Sequence, residues 1–155
     1  MIVARSHCGT MRHVAARDLH HVGIAVADLA AAVERWCTLL GAEIEAEEEV
    51  AAQGVRAVAL LTGTGRVELL SPLAADTPVG RFLERRGEGM HHVAFGVDDV
   101  AAELALLRAQ GATLIDESPR EGLYGPVAFV HPETMGGVLV ELVGRQGPEH
   151  LKEAQ

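Results

Sequence analysis

Two stretches of this chain, HHVGIAVADLAA at residues 20–31 and HHVAFGVDDVAA at residues 91–102, repeat one another. Seven of the twelve aligned positions are identical, and a Val-Glu-Leu triplet also occurs twice, around Glu68 and around Glu141. The second histidine precedes this glutamate by 47 positions in the first copy (21 to 68) and by 49 in the second (92 to 141). Matches in the same order and at nearly the same spacing indicate an internal duplication.

Each copy predicts a strand, a helix and then three short strands. Alternating β-branched residues indicate the first strand, and apolar residues at helical spacing indicate the helix that follows. Asp28 and Asp99 are candidate N-caps of the two helices, and Gly41 and Gly111 are stop signals. The predicted strands lie at 20–26, 42–50, 55–62, 66–72, 91–97, 112–117, 126–131 and 137–143, and the helices at 29–40 and 100–110. The fold class is therefore α+β, built from two βαβββ modules.

The two modules predict one domain rather than two. Thr77 and Pro78 are typical of a helix start, so a linker helix joins the repeats. Residues 1–17 contain no acidic residue. We interpret them as a tail, or as residues that precede a true start at Met11, with an organelle-targeting peptide as the alternative. The predicted boundaries are an N-terminal tail at 1–18, a domain at 19–144 with repeats at 19–75 and 90–144, the linker helix at 77–87, and a C-terminal tail at 145–155.

Composition excludes several classes of partner. The net charge of −9 and an aromatic content of only 3% argue against nucleic-acid binding, because the surface repels phosphates and offers few rings for stacking. No apolar run reaches the roughly 20 residues needed to cross a bilayer, so we expect no membrane partner. Cys8 and Cys37 form no CxxC motif or disulfide framework, and we therefore expect a cytoplasmic protein.

The first strand of each copy has one bulky face and one face with free space. In strand 20–26 the valines and the isoleucine share a face, whereas His21 shares the other with Gly23 and Ala25. The second copy repeats this pattern with His92 followed by two small residues. A whole strand face of small residues is a poor way to fill a core, so the pattern predicts a cavity with a histidine at its edge.

The repeated glutamates predict a metal site in that cavity. Glu68 and Glu141 each point away from the bulky face of an apolar strand, where a lone buried charge is costly. Two carboxylates and two neutral imidazoles, from His21 and His92, provide four ligands and balance the charge of a divalent ion. Mixed nitrogen and oxygen ligands with open positions favour Co²⁺, Mn²⁺, Ni²⁺, Fe²⁺ or Zn²⁺ over a closed thiolate zinc site.

Other polar residues receive less specific interpretations. By strand parity, the neighbouring His20 and His91 fall on the opposite face, and we interpret them as structural. Three arginines on the linker helix are interpreted as a solvated basic face, with phosphate contacts as the alternative: Arg81, Arg85 and Arg86.

These motifs resemble the vicinal oxygen chelate superfamily and, within it, the methylmalonyl-CoA epimerase family. The similar stretches are HHVGIAVADL at 20–29, QGV at 53–55, ELLSP at 68–72, RFLERRGEGMHHVAFGVDDV at 81–100 and VHPETMGGVLVELV at 130–143. The resemblance implies a cupped mixed sheet and a divalent ion, with Co²⁺ ahead of Mn²⁺, Ni²⁺, Zn²⁺ and Fe²⁺. The residues that correspond to the family's metal ligands are His21, Glu68, His92 and Glu141. The first acidic position is Gln in some members of the family.

The resemblance also implies an activity. The family interconverts (R)- and (S)-methylmalonyl-CoA through a metal-stabilised enolate. The resemblance therefore implies an acyl-CoA substrate, and it also implies a homodimer. Glu141 corresponds to one acid/base residue, beside the metal. The other, in well-known members, is a glutamate three residues after the glycine of QGV; Ala57 stands there in this chain. This departure leaves the second proton carrier to a water molecule or to a residue outside the motif.

Three other functions share this fold or ligand chemistry. A glyoxalase I-like lyase or isomerase uses a similar ligand set, although HPETMGGVLVE at residues 131–141 is closer to the epimerases. An extradiol-type dioxygenase needs two histidines and only one carboxylate. A non-enzymatic small-molecule-binding protein, like the bleomycin-resistance proteins, needs no metal ligands.

Overall fold

The structure, a computed structural model, describes residue 16 and residues 18–145. Cys8 and most of the two predicted tails lie outside the described residues. The elements in chain order are β1 (Asp18–Ala25), α1 (Leu29–Leu40), β2 (Glu43–Val50), a 3-10 turn (Ala51–Gln53), β3 (Val55–Thr62), β4 (Gly65–Pro72), α2 (Pro78–Arg86), β5 (Gly89–Val97), α3 (Val100–Ala109), β6 (Arg120–Gly122), β7 (Gly125–Val130) and β8 (Val140–Gly144). The predicted α+β class with two βαβββ modules is confirmed.

One mixed sheet carries all eight of these strands, in the order β2-β3-β4-β1-β5-β8-β7-β6. Within each module the first strand pairs in parallel with the last, β1 with β4 and β5 with β8. The two modules meet where β1 and β5 run antiparallel at the centre of the sheet. An approximate two-fold axis therefore passes between β1 and β5 and relates the repeats.

Helix α1 begins and ends where the sequence predicts, whereas α3 ends at Ala109, one residue before the predicted end, and α2 lies within the predicted range 77–87. The carboxylates of Asp28 and Asp99 each accept a hydrogen bond at 3.0 Å from the backbone N–H three residues later. Thr77 Oγ1 accepts one from Gly80 N–H at 3.1 Å, and Pro78 follows at the first helical position. These side chains satisfy N–H groups that the helix itself leaves without a partner.

The outer face of the sheet packs against α1 and α3. Val26, Leu60 and Leu69 are buried together with Ala32 of α1, and Leu104 of α3 is buried in the corresponding cluster of the second repeat. Burial of these apolar side chains fixes which face of the sheet is outer. The opposite face, with the histidines and glutamates of the repeat, therefore lines the inside of the cup.

Hydrogen bonds between the two end regions of the sheet nearly close the cup. Arg120 Nη1, in β6, donates to the carbonyl oxygen of Ala52 at 3.3 Å. Gln53 Nε2 donates to the carbonyl oxygen of Glu121 at 3.4 Å. The 3-10 turn of the first repeat thus lies against the edge strand of the second.

The predicted strand at 112–117 is wrong. Leu114 forms only an isolated bridge with Val130, and the first strand after α3 is instead β6, between the predicted strands at 112–117 and 126–131. The Asp116 carboxylate accepts the N–H of Phe129 at 2.8 Å, so a side chain takes the place of a ladder partner. Pro119 then follows and has no N–H to donate. In the described part of the chain, no helix has the length and apolar character that a membrane crossing requires.

Candidate metal centre

Four strands near the middle of the sheet each bring one polar side chain into the cup. His21 lies on β1, Glu68 on β4, His92 on β5 and Glu141 on β8. Their exposed fractions are only 2, 6, 2 and 3%, respectively. The structure thus brings together all four residues that the duplication singles out, and buries them.

The strand register explains how the four side chains meet. Gly23 of β1 lies between Glu68 of β4 and His92 of β5. Ala94 of β5 occupies the equivalent place in the other repeat, flanked by the remaining histidine and glutamate. Each small residue therefore leaves room for one imidazole and one carboxylate from its two neighbouring strands.

The ligand atoms face one another at short range. His21 Nε2 lies 3.0 Å from His92 Nε2. Glu141 Oε2 lies 3.1 Å from the first of these nitrogens and 3.3 Å from the second. Glu68 Oε2 lies 3.4 and 3.7 Å from the same two nitrogens. One ligand atom from each residue lies within 4.8 Å of the other three.

This geometry and chemistry fit a divalent metal ion. Ligands bound at about 2.0–2.2 Å lie roughly 2.8–3.6 Å apart in tetrahedral or octahedral sites, and four of the five separations above fall in that range. Glu141 Oε2 is buried and has no hydrogen bond of ordinary geometry, which is costly for a carboxylate oxygen. A cation among these atoms would give that oxygen a partner and balance the two negative charges.

His20 and His91 do not point away from the site, as strand parity predicts. Each is the extra residue of a β-bulge between β1 and β5. A bulge re-aims side chains, and here the His20 ring turns toward His21, with 2.8 Å between their Nδ1 atoms. His91 and His92 are related in the same way at 3.0 Å. The interpretation of both residues as lying on the opposite face is therefore wrong; they orient the rings of the two candidate ligands.

The buried ion pairs set the charge of the group. Burial lowers the pKa of His21, but the close carboxylates of Glu141 and then Glu68 outweigh it and raise this pKa to about 9. Burial raises the pKa of Glu141, whereas the close imidazoles of His21 and His92 bring this pKa well below its usual range. Burial, followed by the charge of the adjacent ring, lowers the pKa values of His20 and His91 to about 4. Without metal, the group thus holds a proton on the His21 imidazole at neutral pH, beside the ionised Glu141 carboxylate.

Metal uptake should therefore depend on pH. A metal ion must displace the proton on His21, so apparent affinity should rise about tenfold per pH unit below pH 9 and level off above it. In the metal-free protein the raised pKa gives stability that is complete below about pH 6.5 and is lost as the pH rises through 9. Calorimetric titration with Co²⁺ between pH 6 and 9 measures the first effect. An affinity that does not change with pH would contradict it.

Alanine at His21 and alanine at His92 should have closely similar effects. The two residues occupy equivalent positions of the repeat and have equal burial, so each substitution removes one of two matched ligands. We expect metal affinity to fall at least about tenfold in both variants. Metal analysis after dialysis against a weak chelator measures this loss, with His131→Ala, at a half-buried position just after β7, as the control. If only one of the two substitutions matters, the symmetric site is wrong.

An inner pocket of about 100 Å³ adjoins the group at His92. Its lining is mainly apolar and includes Val55, Leu70, Val79, Phe129 and Leu139, together with the polar side chains Gln53 and Arg120. The QGV motif points to Gln53, but no sequence signal places Arg120, 67 positions further along the chain, in the same pocket. Ala57 is buried in the apolar cluster beside this pocket, and its methyl side chain has no acidic or basic group.

The chain matches the family model described as the glyoxalase/bleomycin resistance protein/dioxygenase superfamily over residues 20–129. It belongs to this superfamily. An ethylmalonyl-CoA/methylmalonyl-CoA epimerase of Cereibacter sphaeroides is 38% identical over 127 residues, which cover 80% of this chain and 95% of that protein. The resemblance to the vicinal oxygen chelate and epimerase families is thereby confirmed.

Solved structures of superfamily members agree with this assignment. The methylmalonyl-CoA epimerase of Mycobacterium tuberculosis aligns with a TM-score of 0.82 and 36% identity, covering 88% of this chain and 93% of that one. A variant of the Streptomyces coelicolor methylmalonyl-CoA epimerase, in complex with 2-nitronate-propionyl-CoA, aligns with a TM-score of 0.81 and 37% identity, covering 85% and 99%. The similarity thus extends over nearly the whole domain in both cases.

Proposed function

We propose that this protein is a divalent-metal-dependent epimerase that interconverts (R)- and (S)-methylmalonyl-CoA. The observation that carries the proposal is the buried group of two histidines and two glutamates, His21, Glu68, His92 and Glu141, with an apolar pocket beside it. Identities of 37–38% to epimerases that the matches cover almost completely support the same activity.

In this proposal the four residues hold the ion and Glu141 also moves a proton. A bound divalent ion would act as a Lewis acid that favours the enolate as negative charge develops at the thioester oxygen. One carboxylate oxygen of Glu141 would bind the ion, which leaves the second oxygen to accept the C2 proton of the substrate. The apolar wall of the inner pocket suits the alkyl substituent at C2 and excludes water from the carbanion.

Inversion also requires a proton on the opposite face of the planar enolate. Residue 57 does not supply it, because Ala57 has no titratable group. The return proton therefore comes from water or from a residue outside the QGV motif.

Solvent exchange at C2 tests the proposal and separates its two steps. Methylmalonyl-CoA in D₂O, with metal-loaded protein, should exchange its C2 proton and change configuration at comparable rates, and a chelator should stop both. Exchange without inversion would show enolate formation but contradict an epimerase. If the protein neither exchanges nor inverts methylmalonyl-CoA but converts the hemithioacetal of methylglyoxal and glutathione, it is a glyoxalase.

Three finer features belong to this proposal. We propose Co²⁺ as the native ion, a homodimer as the assembly and the cytoplasm as the location. Reconstitution with Co²⁺, Mn²⁺, Ni²⁺, Zn²⁺ and Fe²⁺ in parallel should give the highest turnover with Co²⁺. Light scattering after gel filtration should give twice the 16.4 kDa chain mass.

A further inference from the structure

The approximate two-fold axis relates two sides of the cup, one at His20 and one at His91. We call them its two mouths, and the residues that line them differ. On the side of His20, the Tyr124 ring lies 4.8 Å from the imidazole, and its hydroxyl donates to Glu45 at 2.8 Å. Arg66 donates twice to the same carboxylate, at 2.6 and 2.7 Å. This mouth is thus filled by a ring and an ion pair.

The other mouth leads to the candidate metal centre. His91 faces Phe82 of α2 with 4.9 Å between ring centroids. An outer cavity of about 500 Å³, lined by α2 on one side, reaches His91 and His92. The inner pocket lies on the same side and shares both histidines. A substrate can therefore reach the centre past α2.

Arginines line the α2 side of the outer cavity. Arg81 and Arg85 are one helical turn apart, and the Arg86 guanidinium lies 5.9 Å from the centre of the Phe82 ring. All three arginines are exposed, and they fall within nine residues of a chain whose net charge is −9. Guanidinium groups match phosphate oxygens in geometry and charge, so this wall is suited to a phosphorylated ligand.

The opposite side of the cavity is apolar and open to solvent. Met90 and Val138 have exposed fractions of 66 and 45%, and Ile115 has 48%. Exposed apolar side chains gathered at one opening are typical of a ligand-binding surface. The cavity thus offers positive charge at its outer wall, apolar contacts beside it, and the metal centre at its inner end.

We propose that Arg81, Arg85 and Arg86 bind the phosphates of coenzyme A, and that the pantetheine arm passes Met90 and Val138 to place the thioester at the metal centre. This inference rests on the proposed function for the identity of the acyl group. It replaces the interpretation of the three arginines as a solvated basic face.

The test compares two thioesters that differ only in their phosphates. Methylmalonyl-pantetheine carries the same acyl group and arm as methylmalonyl-CoA but no nucleotide. The triple variant Arg81→Gln, Arg85→Gln, Arg86→Gln should raise KM for methylmalonyl-CoA roughly tenfold or more, leave kcat unchanged, and leave KM for the pantetheine thioester unchanged. The control is Arg35→Gln, an exposed arginine on the repeat-related helix α1, which should change neither KM.

A second measurement does not depend on turnover. Calorimetric titration with free coenzyme A should show the same loss of affinity in the triple variant, and weaker salt dependence than in the unaltered protein. Equal losses with both thioesters, or unchanged affinity for coenzyme A, would overturn the inference. If the unaltered protein binds coenzyme A through these arginines yet epimerises neither thioester, the proposed function fails while the binding site stands.

Discussion

Replacing Glu141 with glutamine is expected to lower the rate of epimerisation of methylmalonyl-CoA by at least about 10³-fold. The change removes the group that accepts the C2 proton, a contribution typically of about 10²–10⁴-fold. It also removes one of two charges from a buried ligand set and leaves a neutral amide 3.1 Å from His21 Nε2. Metal affinity should therefore fall together with kcat, and rates should be measured at saturating metal to separate the two effects.

Glu68→Gln is the matched control for this substitution. Glu68 is the repeat-related glutamate, also buried and within 3.4 Å of His21 Nε2, and the family resemblance includes members with Gln at this position. A glutamine keeps one oxygen ligand, so we expect weaker metal binding but turnover within about tenfold at saturating metal. Near-normal turnover in Glu141→Gln, or equal losses in both variants, would contradict the role of Glu141 as the base.

Alanine at Gly23 is expected to disrupt the centre from outside the ligand set. A Cβ at this position would lie 2.1 Å from His92 Cε1 and 2.5 Å from His92 Nε2. The imidazole cannot stay where it is, because such contacts are far inside van der Waals range. Displacement of a ligand ring by even about 1 Å disrupts the coordination geometry that a metal site requires. We expect loss of most bound metal and at least about a hundredfold loss of activity, with the sheet retained.

Gly96→Ala provides the control for this prediction. Gly96 is on β5, on the same inner side, but a Cβ there meets the end of the Asp18 side chain at 2.6 Å, and this carboxylate can move. Metal content and activity should stay close to those of the unaltered protein. Metal analysis and circular dichroism of both variants make the comparison, and a Gly23→Ala protein with full metal content would refute the requirement for free space beside His92.

Much of this architecture can be predicted from the duplication. Alternation in residues 20–26 and 91–97 assigns the bulky face to the helices and the histidine to the interior, and the matched Val-Glu-Leu triplets assign the carboxylates. The duplication strengthens these assignments, because an assignment of inner and outer faces has to be compatible with the packing of both repeats.

The errors arise where a local departure from regular geometry decides the outcome. Strand parity misplaces His20 and His91 because each is the extra residue of a bulge, and alternation alone does not reveal one inserted residue. The strand predicted at 112–117 fails because the Asp116 side chain takes a backbone N–H. Arg120 enters the inner pocket only because the cup brings β6 close to the 3-10 turn, a contact that no local pattern encodes.

Anomalous diffraction from crystals of the Co²⁺-loaded protein shows whether the two repeats share one ion. If they do, one strong peak per chain appears at the cobalt edge, within coordination distance of Nε2 of His21 and His92 and of a carboxylate oxygen of Glu68 and Glu141. A peak that only one repeat contacts, or cobalt bound only at the protein surface, would contradict a shared ion.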